Sequence, residues 1–583
     1  MTEMRGARPV ARDGRARTER RSRRHSTWIW STLGIGLSLA FVACWLPPEL
    51  WTLPIQGPDA LAHYQFIREL FDDAGQGAMS LWPGGSYYPP LFHLLAAGVI
   101  GAAQLVGLQI SVFTAFALVW VLIAGLVFPL GVLLFTRLLV APRAPTEDAA
   151  LGLLVPMLAV LSVAHPYQQL VAGPLLTFGF GMSLVPLLLW VSLSAVRALR
   201  EKTHSEAAWW LALSVSLILV LLLAHPRALI PYALLLSAFL LFQLRSRGLL
   251  LVGGLIVLGG LAFSAYSLLV IRSDKFLHPE TWFAQHPATQ TLGEAAFFVL
   301  SGGTGSWAFA LPAAAGVVAL IAIPGALWRE RYGLAIAFLG VLVLYTLTVA
   351  ADGAFANIAT SPWYRDENRV MMMVPIVAIP ALVTGCVLVM RWLSGAWRGV
   401  GIGILLLCGA VLLLSSSASS DVRERVAQNA SLAQKTADSL LSEQKLEAFE
   451  AIATAVGEDG LVVSDPMNGS PLLYPIEGIE TFYPIINPPF VGAGQIYTDI
   501  VGAFASHDPA VMETALCALN PQGDVYFLEM GPQSPEVIAY QYRGVYAPFH
   551  DLGALTTYVE TGALVPVAGD ESLWELYRVT CAG

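Results

Sequence analysis

Apolar runs of about 20 residues, long enough to cross a bilayer as helices, recur along the chain from Thr27 to Leu414. The hydrocarbon core of a bilayer is roughly 30 Å thick, which is the length of such a helix. Of the 583 residues, 56% are hydrophobic and only 13% are charged. The sequence therefore predicts a polytopic α-helical membrane protein.

Hydropathy and loop charge together predict about 11 membrane-spanning helices. The spans are predicted at residues 27–46, 112–136, 149–165, 172–195, 207–224, 229–244, 248–271, 306–328, 333–351, 369–390 and 399–416. With this assignment the basic loops all fall on one side, and they contain Arg137/Arg143, Arg197/Arg200/Lys202, Arg245/Arg247, Arg329/Arg331 and Arg391/Arg398. An additional span at residues 89–108 would move every later basic loop to the other side. That stretch is therefore predicted as a juxtamembrane or re-entrant helix of a long first outer loop at residues 47–111.

The two ends of the chain differ in charge. Residues 1–26 hold nine Arg and three acidic residues, whereas residues 417–583 hold 22 acidic residues and six Lys or Arg. The positive-inside rule predicts a basic cytoplasmic tail at 1–26 and, after an odd number of spans within 27–416, an extracytoplasmic domain at 417–583. A topogenic role explains the arginine-rich tail without a nucleic-acid partner. The predicted location is the plasma membrane.

The C-terminal region reads as a small α/β domain. A polar, helix-favouring stretch at residues 421–456 precedes three short apolar runs that predict buried strands at Leu461–Asp465, Asp524–Leu528 and Leu573–Val579. Cys517 and Cys581 are its only cysteines, so an exported domain would be expected to pair them in a disulfide.

The first outer loop contains a helix that combines an acid and a histidine with apolar residues. At about 100° per residue, Asp59, His63, Phe66 and Leu70 share one helical face. We expect this face to pack against protein, where burial shifts pKa values. Asp59 follows Pro58 and also suits a helix N-cap, and a single histidine is often structural. Both alternatives stay open.

Further polar residues lie at the predicted outer ends of spans. The candidates are His165, His225, Arg227, Arg272, Lys275, Trp363, Tyr364, Arg365, Asp366 and Arg369. Cations at these positions could bind an anionic group, although Arg and Lys at span ends also extend to lipid head groups. Tyr88, Trp363 and Tyr364 could stack on sugar rings or belong to the interfacial aromatic belt.

The layout resembles the GT-C superfamily of membrane glycosyltransferases, which use polyprenyl-phosphate sugar donors. The resemblance rests on the long first outer loop, on Gly57–Tyr64 at the place of an acidic motif, and on Tyr88-Pro89-Pro90-Leu91, which is similar to a (Y/K)PPL segment. Three further motifs resemble a multipass membrane family of actinobacteria: Asp59-x-x-x-His63, Pro362-Trp363-Tyr364-x-Asp366-x-x-Arg369, and Ser464-Asp465-Pro466-x-Asn468-Gly469-Ser470. The third motif is also compatible with a simple tight turn, or with binding of an acceptor glycan.

The resemblance implies a set of roles. Asp59, with His63 near it, would act as general base on an acceptor hydroxyl or help to hold a divalent cation such as Mg, Mn or Ca, which Asp366 could share. The outer cations would bind the departing polyprenyl phosphate. We therefore predict a membrane glycosyltransferase that acts on a cell-envelope glycan or lipid acceptor. The alternatives are a transporter or flippase of lipid-linked sugar and a non-catalytic envelope-assembly scaffold.

Overall fold

The computed structural model describes residues 11–57, 59–73, 87–171, 173, 175–243, 288–323, 327–392, 417–433, 439–486, 495–536, 543–570 and 572–581. The described chain is mostly helical and contains one small β-sheet. It divides into two compact units. Unit 1 contains Met1–Trp45, Val121–Gln168 and Phe178–Asp421, and unit 2 contains Leu46–Trp120, Gln169–Thr177 and Val422–Gly583.

The helices up to residue 392 are α1 (Ala11–Trp45), α2 (Ala60–Asp72), α3 (Leu91–Leu105), α4 (Val112–Leu122), α5 (Phe128–Val140), α6 (Pro145–Ala159), α7 (Gln168–Val171), α8 (Leu176–Arg200), α9 (His204–Ala224), α10 (Leu229–Gln243), α11 (Leu292–Leu300), α12 (Trp307–Ala322), α13 (Trp328–Val349), α14 (Ala354–Thr360), α15 (Glu367–Met371) and α16 (Val374–Trp392). A π-helical turn, Ile123–Val127, joins α4 to α5. Later helices are α17 (Ser417–Ala430), α18 (Glu443–Val456), α19 (Leu473–Glu477), α20 (Ile496–Ala505), α21 (Pro509–Cys517) and α22 (Leu552–Glu560).

Seven helical segments of the described chain are long and apolar enough to cross a membrane: Trp28–Trp45, Val112–Val140, Leu176–Arg200, His204–Ala224, Pro226–Gln243, Trp328–Val349 and Glu367–Trp392. The bent pair Pro145–Ala159 and Val163–Val171 would be an eighth. The apolar helices confirm the prediction of a polytopic membrane protein.

The predicted number of 11 spans is not confirmed. The predicted span at 306–328 forms only the shorter helix α12, and the predictions at 248–271 and 399–416 lie outside the described residues. The stretch at 89–108, which was excluded as a span, forms α3, which is also shorter than a spanning helix.

Glycines allow close helix contacts in unit 1. A Cβ atom on Gly34 of α1 would lie 2.2 Å from the carbonyl oxygen of Gly152 in α6. A Cβ atom on Gly385 of α16 would lie 2.2 Å from the Cα atom of Gly316 in α12. Small residues let apolar helices approach closely and gain van der Waals contact, which drives helix association in lipid.

Unit 2 contains a five-stranded sheet in the order β2-β1-β3-β5-β4. The strands are β1 (Leu461–Ser464), β2 (Glu480–Thr481), β3 (Val525–Met530), β4 (Leu564–Asp570) and β5 (Trp574–Val579). Strand β1 runs parallel to β2 and β3, whereas β5 runs antiparallel to β3 and β4. The three predicted strands are confirmed as β1, β3 and β5. The other two were missed because β2 has only two residues and β4 is almost wholly exposed.

Unit 2 joins the predicted first outer loop to the C-terminal region. The side-chain oxygen of Gln56 accepts hydrogen bonds from the backbone N–H groups of Leu440 (2.5 Å) and Leu441 (2.9 Å). The Tyr474 hydroxyl donates to Asp72 Oδ2 at 3.0 Å. Each compact unit is therefore built from segments that are far apart in the sequence.

Candidate functional site

Two arginines from distant parts of the sequence lie over one aromatic ring in unit 1. The guanidinium carbon of Arg227 is 4.0 Å from the centroid of the Tyr364 ring, and that of Arg369 is 4.9 Å from the same centroid. Arg369 also lies 5.7 Å from the centroid of Phe178. All three contacts are cation–π contacts, in which the negative face of the ring attracts the cation. We call Arg227, Tyr364, Asp366 and Arg369 the paired-arginine cluster.

Asp366 fixes the position of Arg369 within the cluster. It is the N-cap of α15, where its Oδ1 accepts a hydrogen bond from the Asn368 N–H at 2.9 Å. Its Oδ2 accepts a bond from Arg369 Nε at 3.0 Å. Gln168 Nε2 donates to Asn368 Oδ1 at 3.2 Å, which ties α15 to the start of α7. The Arg369 guanidinium is therefore held by an ion pair, with 18% of its side chain exposed.

The backbone that carries Tyr364 has an unusual conformation. Tyr364 and Arg365 have φ angles of 58° and 52°, in the left-handed region that residues other than glycine rarely adopt. Such residues cost of the order of 1–3 kcal/mol each and cluster at functional sites. The Arg365 side chain turns inward, because it bonds to Asn357 Oδ1 and donates to the Ala351 carbonyl at 2.6 Å. The predicted phosphate-binding role of Arg365 therefore does not fit, since these interior groups occupy its guanidinium.

The predicted histidines lie in two environments. His225 lies between the candidate spans of α9 and α10, and its Nδ1 accepts a hydrogen bond from the Arg227 N–H at 3.3 Å. Burial, and then the charges of Arg227 and Arg369, lower the pKa of His225 to about 3. His165 is buried and its Nε2 lies 2.8 Å from Ser183 Oγ. His225 is therefore neutral beside the cluster, and His165 is hydrogen-bonded to Ser183 in the interior.

Three other residues predicted at the outer ends of spans are Trp363, Arg272 and Lys275. Trp363 is buried, with 5% of its surface exposed. Arg272 and Lys275 lie outside the described residues.

Asp59 lies at the N-terminus of α2 in unit 2. Its backbone N–H donates to the Gly173 carbonyl at 2.9 Å, and its side chain makes no capping hydrogen bond. A Cβ atom on Gly173, whose φ is 109°, would lie 3.0 Å from Asp59 Oδ2. The expectation that this face packs against protein is confirmed for His63, Phe66 and Leu70, which are buried, but wrong for Asp59, which is exposed.

His63 lies in the interior of unit 2. Its Nδ1 is 2.8 Å from Nε2 of His93 in α3, and the two rings stack with centroids 5.1 Å apart. Burial, and then the neighbouring His63, lower the pKa of His93 well below its usual value. The Tyr88 ring packs 5.9 Å from that of Phe66. His63 and Tyr88 therefore contribute to the packing of α2 on α3. Nothing local in the sequence indicated that His93 would be the partner of His63.

No group of three or more His, Cys, Asp or Glu side chains that could hold a metal ion occurs within the described ranges. Both carboxylate oxygens of Asp366 accept hydrogen bonds from Arg369 and Asn368. This makes Asp366 a poor metal ligand. Asp59 and Asp366 belong to different units, and metal binding by this pair stays a prediction.

A second polar cluster in unit 2 was missed by the sequence analysis. His550 Nε2 lies 2.7 Å from Asp465 Oδ2, and His550 Nδ1 lies 2.9 Å from Glu529 Oε1. The two carboxylates raise the pKa of His550 to about 10, against the effect of its burial. Asp465 also accepts from the Met467 N–H at 2.8 Å, so the predicted tight turn is present. The motif pointed to Asp465, but nothing local in the sequence pointed to its distant partners.

The structure also brings together the two cysteines of the C-terminal region. Cys517 at the end of α21 and Cys581 after β5 form a disulfide with Cα atoms 5.7 Å apart.

A family model described as "Family of unknown function (DUF6541)" matches residues 3–579, which is nearly the whole chain. The chain belongs to the DUF6541 family. No curated protein sequence matches this DUF6541 protein at a significant level.

Solved structures of the oligosaccharyltransferase from Archaeoglobus fulgidus are similar to this DUF6541 protein at low identity. The complex with an inhibitory peptide and a dolichol-phosphate has 12% identity and a TM-score of 0.47, over 86% of this chain and 69% of that chain. The complex with Zn and sulfate has 13% identity and a TM-score of 0.48, over 85% and 68%. The form tethered to an acceptor peptide has 11% identity and a TM-score of 0.46, over 86% and 69%.

Proposed function

We propose that this DUF6541 protein is a membrane glycosyltransferase that transfers a sugar from a polyprenyl-phosphate donor to an acceptor in the cell envelope. The observation that carries the proposal is the paired-arginine cluster. Arg227 and Arg369 both contact the aromatic ring of Tyr364. Each arginine lies near the first residue of a candidate membrane span. A lipid phosphate lies at the same level of a membrane as the ends of spans.

The electrostatics of the cluster favour an anionic ligand. The cluster brings two guanidinium groups to one ring, and Asp366 pairs with Arg369. Guanidinium groups form paired hydrogen bonds to phosphate oxygens, and these bonds strengthen as negative charge develops on the leaving phosphate. In the proposed role, Arg227 and Arg369 hold the donor phosphate and stabilise it as it departs.

Asp59 is the proposed general base. Its carboxylate is exposed and is positioned through Gly173, so it can accept a proton from a solvent-side group. In the proposed reaction the acceptor hydroxyl oxygen attacks the anomeric carbon, its proton passes to Asp59, and the bond to the phosphate oxygen breaks with its electron pair leaving on the phosphate.

The test separates donor binding from chemistry. Full-length protein in nanodiscs is assayed for binding of a fluorescent polyprenyl phosphate and for transfer from a panel of polyprenyl-phosphate sugars to envelope acceptors. Arg369→Gln is expected to weaken binding about tenfold, the effect of losing one charge-assisted contact. Asp59→Asn is expected to bind as tightly as the wild type but to transfer no sugar.

A matched control is Arg329→Gln, because Arg329 also lies over a ring, at 5.2 Å from the centroid of Trp328, but outside the cluster. It should leave binding and transfer unchanged. Full transfer by Asp59→Asn would exclude it as the base. Wild-type binding by both Arg227→Gln and Arg369→Gln would exclude the cluster as the phosphate site.

A further inference from the structure

Unit 1 contains a second cationic region, which forms a cavity of about 520 Å³. The cavity lies where α5, α8 and α16 end and where α13 begins. Its charged lining residues are Arg143, Arg197, Arg200, Glu201, Arg331 and Arg391. These arginines come from four of the predicted basic loops, so the structure brings these loops to one end of unit 1. Cavities of this size commonly bind small organic ligands.

Backbone carbonyl groups hold two of the cavity arginines in place. Arg391 donates to the carbonyl oxygens of Val140 and Ala141, each at 3.1 Å. Arg331, which is 2% exposed, donates to the Ile323 carbonyl at 2.8 Å. Carbonyl acceptors orient a guanidinium group without cancelling its charge. The cavity is therefore a preformed cationic site, in contrast to flexible arginines that extend into the lipid head-group layer.

Positive charge exceeds negative charge among the described residues of this cavity. Arg197 and Arg200 share the carboxylate of Glu330, at 3.9 and 3.5 Å. Arg391 pairs with Glu147 at 2.8 Å. With Glu201 in the lining, three carboxylates accompany five arginines. In a partly desolvated site such an excess favours an anion.

Apart from Thr384, the rest of the lining is apolar or backbone of small residues. It includes Leu139, Ile323, Leu327, Val387, Leu388 and Trp392. A ligand that fits both parts carries an anionic head and an apolar chain. Guanidinium groups match the geometry of phosphate oxygens, and basic pockets between membrane helices bind lipid head groups. We propose that this cavity binds the phosphate head group of an anionic membrane lipid, with the start of its acyl chains against the apolar wall.

The experiment uses full-length protein in phosphatidylcholine nanodiscs that contain phosphatidylglycerol, and native mass spectrometry measures the lipid retained. One phosphatidylglycerol per wild-type chain is expected. The double variant Arg143→Gln/Arg200→Gln should retain it about 100-fold more weakly, because two phosphate contacts are lost at about tenfold each. Lys202→Gln is the matched control, since Lys202 is two residues from Arg200 but does not line the cavity.

Equal retention by the wild type, the double variant and Lys202→Gln would overturn the proposal, because it would show only general attraction to a basic surface. Displacement of the lipid by an equal concentration of inorganic phosphate would also overturn it, since the site would then select free phosphate. Thermal unfolding in pure phosphatidylcholine checks the fold of the variants. If the double variant unfolds, the single variant Arg143→Gln replaces it, because Arg143 is exposed and its substitution should not disturb the fold. Lipid retention equal to that of the wild type would then overturn the proposal.

Discussion

From the contact of His550 with two carboxylates we predict how the stability of unit 2 depends on pH. The perturbation is His550→Gln, which keeps a polar side chain of similar size but cannot carry a positive charge. In the wild type, Asp465 and Glu529 raise the pKa of His550 from 6.5 to about 10. Burial raises the pKa of Glu529 above its usual value, and the bond to His550 opposes this rise.

The magnitude follows from the two pKa values of His550. The difference between 6.5 and about 10 corresponds to ~5 kcal/mol of folding free energy. Because 34% of the imidazole is exposed, solvent screening reduces the expected contribution to ~2 kcal/mol. The folded pKa is the higher one, so this stabilisation is complete below pH 6.5 and is lost as the pH rises towards 10.

Lys445 changes the stability of unit 2 with pH in the opposite direction to His550. Its buried amine donates to the carbonyl groups of Leu440, Asn468 and Pro535, and burial lowers its pKa to about 7. A lowered lysine pKa makes the stability of unit 2 rise with pH above 7. The wild-type pH profile therefore contains two opposing contributions, and only the difference between wild type and His550→Gln isolates His550.

Hydrogen exchange of the β1 and β3 amides in the full-length protein, corrected for intrinsic rates, measures this difference. Exchange in His550→Gln is expected to be about 30-fold faster than in the wild type at pH 6, which corresponds to ~2 kcal/mol, and much closer to the wild type at pH 10. Lys445→Met should leave this difference unchanged. An equal difference at both pH values would refute the argument, because the contribution would then not depend on the imidazolium charge.

Two further predictions concern the backbone near Asp59 and the disulfide. Gly173→Ala should lower sugar transfer at least tenfold without changing polyprenyl-phosphate binding, because a Cβ atom would displace the Asp59 carboxylate; normal transfer would show that the position of Asp59 is unimportant. Cys517→Ser should destabilise unit 2 by ~4 kcal/mol, as estimated from the 64-residue separation of the two cysteines, and denaturant unfolding measures this against the wild type with and without reductant. Equal unfolding midpoints would refute the stabilising role.

The two cationic regions of unit 1 have different chemistry. In the paired-arginine cluster the cations contact an aromatic ring on a strained backbone, next to Asp366. In the cavity, carbonyl groups hold Arg331 and Arg391, carboxylates pair with some of the arginines, and most of the remaining lining is apolar. The first arrangement suits a phosphate whose charge changes during a reaction, whereas the second suits a ligand that stays bound. The variants above test each region separately.

The sequence by itself determined the class of protein and most local elements. Runs of apolar residues predicted the described spans, and short β-branched or aromatic runs predicted β1, β3 and β5, because burial of one segment depends mainly on its own composition. The same local signals also selected Arg227, Tyr364 and Arg369 individually.

Only the tertiary structure decided which of these residues meet. The ring of Tyr364 under both arginines, the His63–His93 pair and the bridging of Asp465 and Glu529 by His550 join positions far apart in the chain. Such contacts arise from the packing of whole helices and strands. The residues next to a position in the sequence therefore do not predict them. The exposure of Asp59 was mispredicted for the same reason, since helical periodicity assigns a face but does not show where the neighbouring element ends.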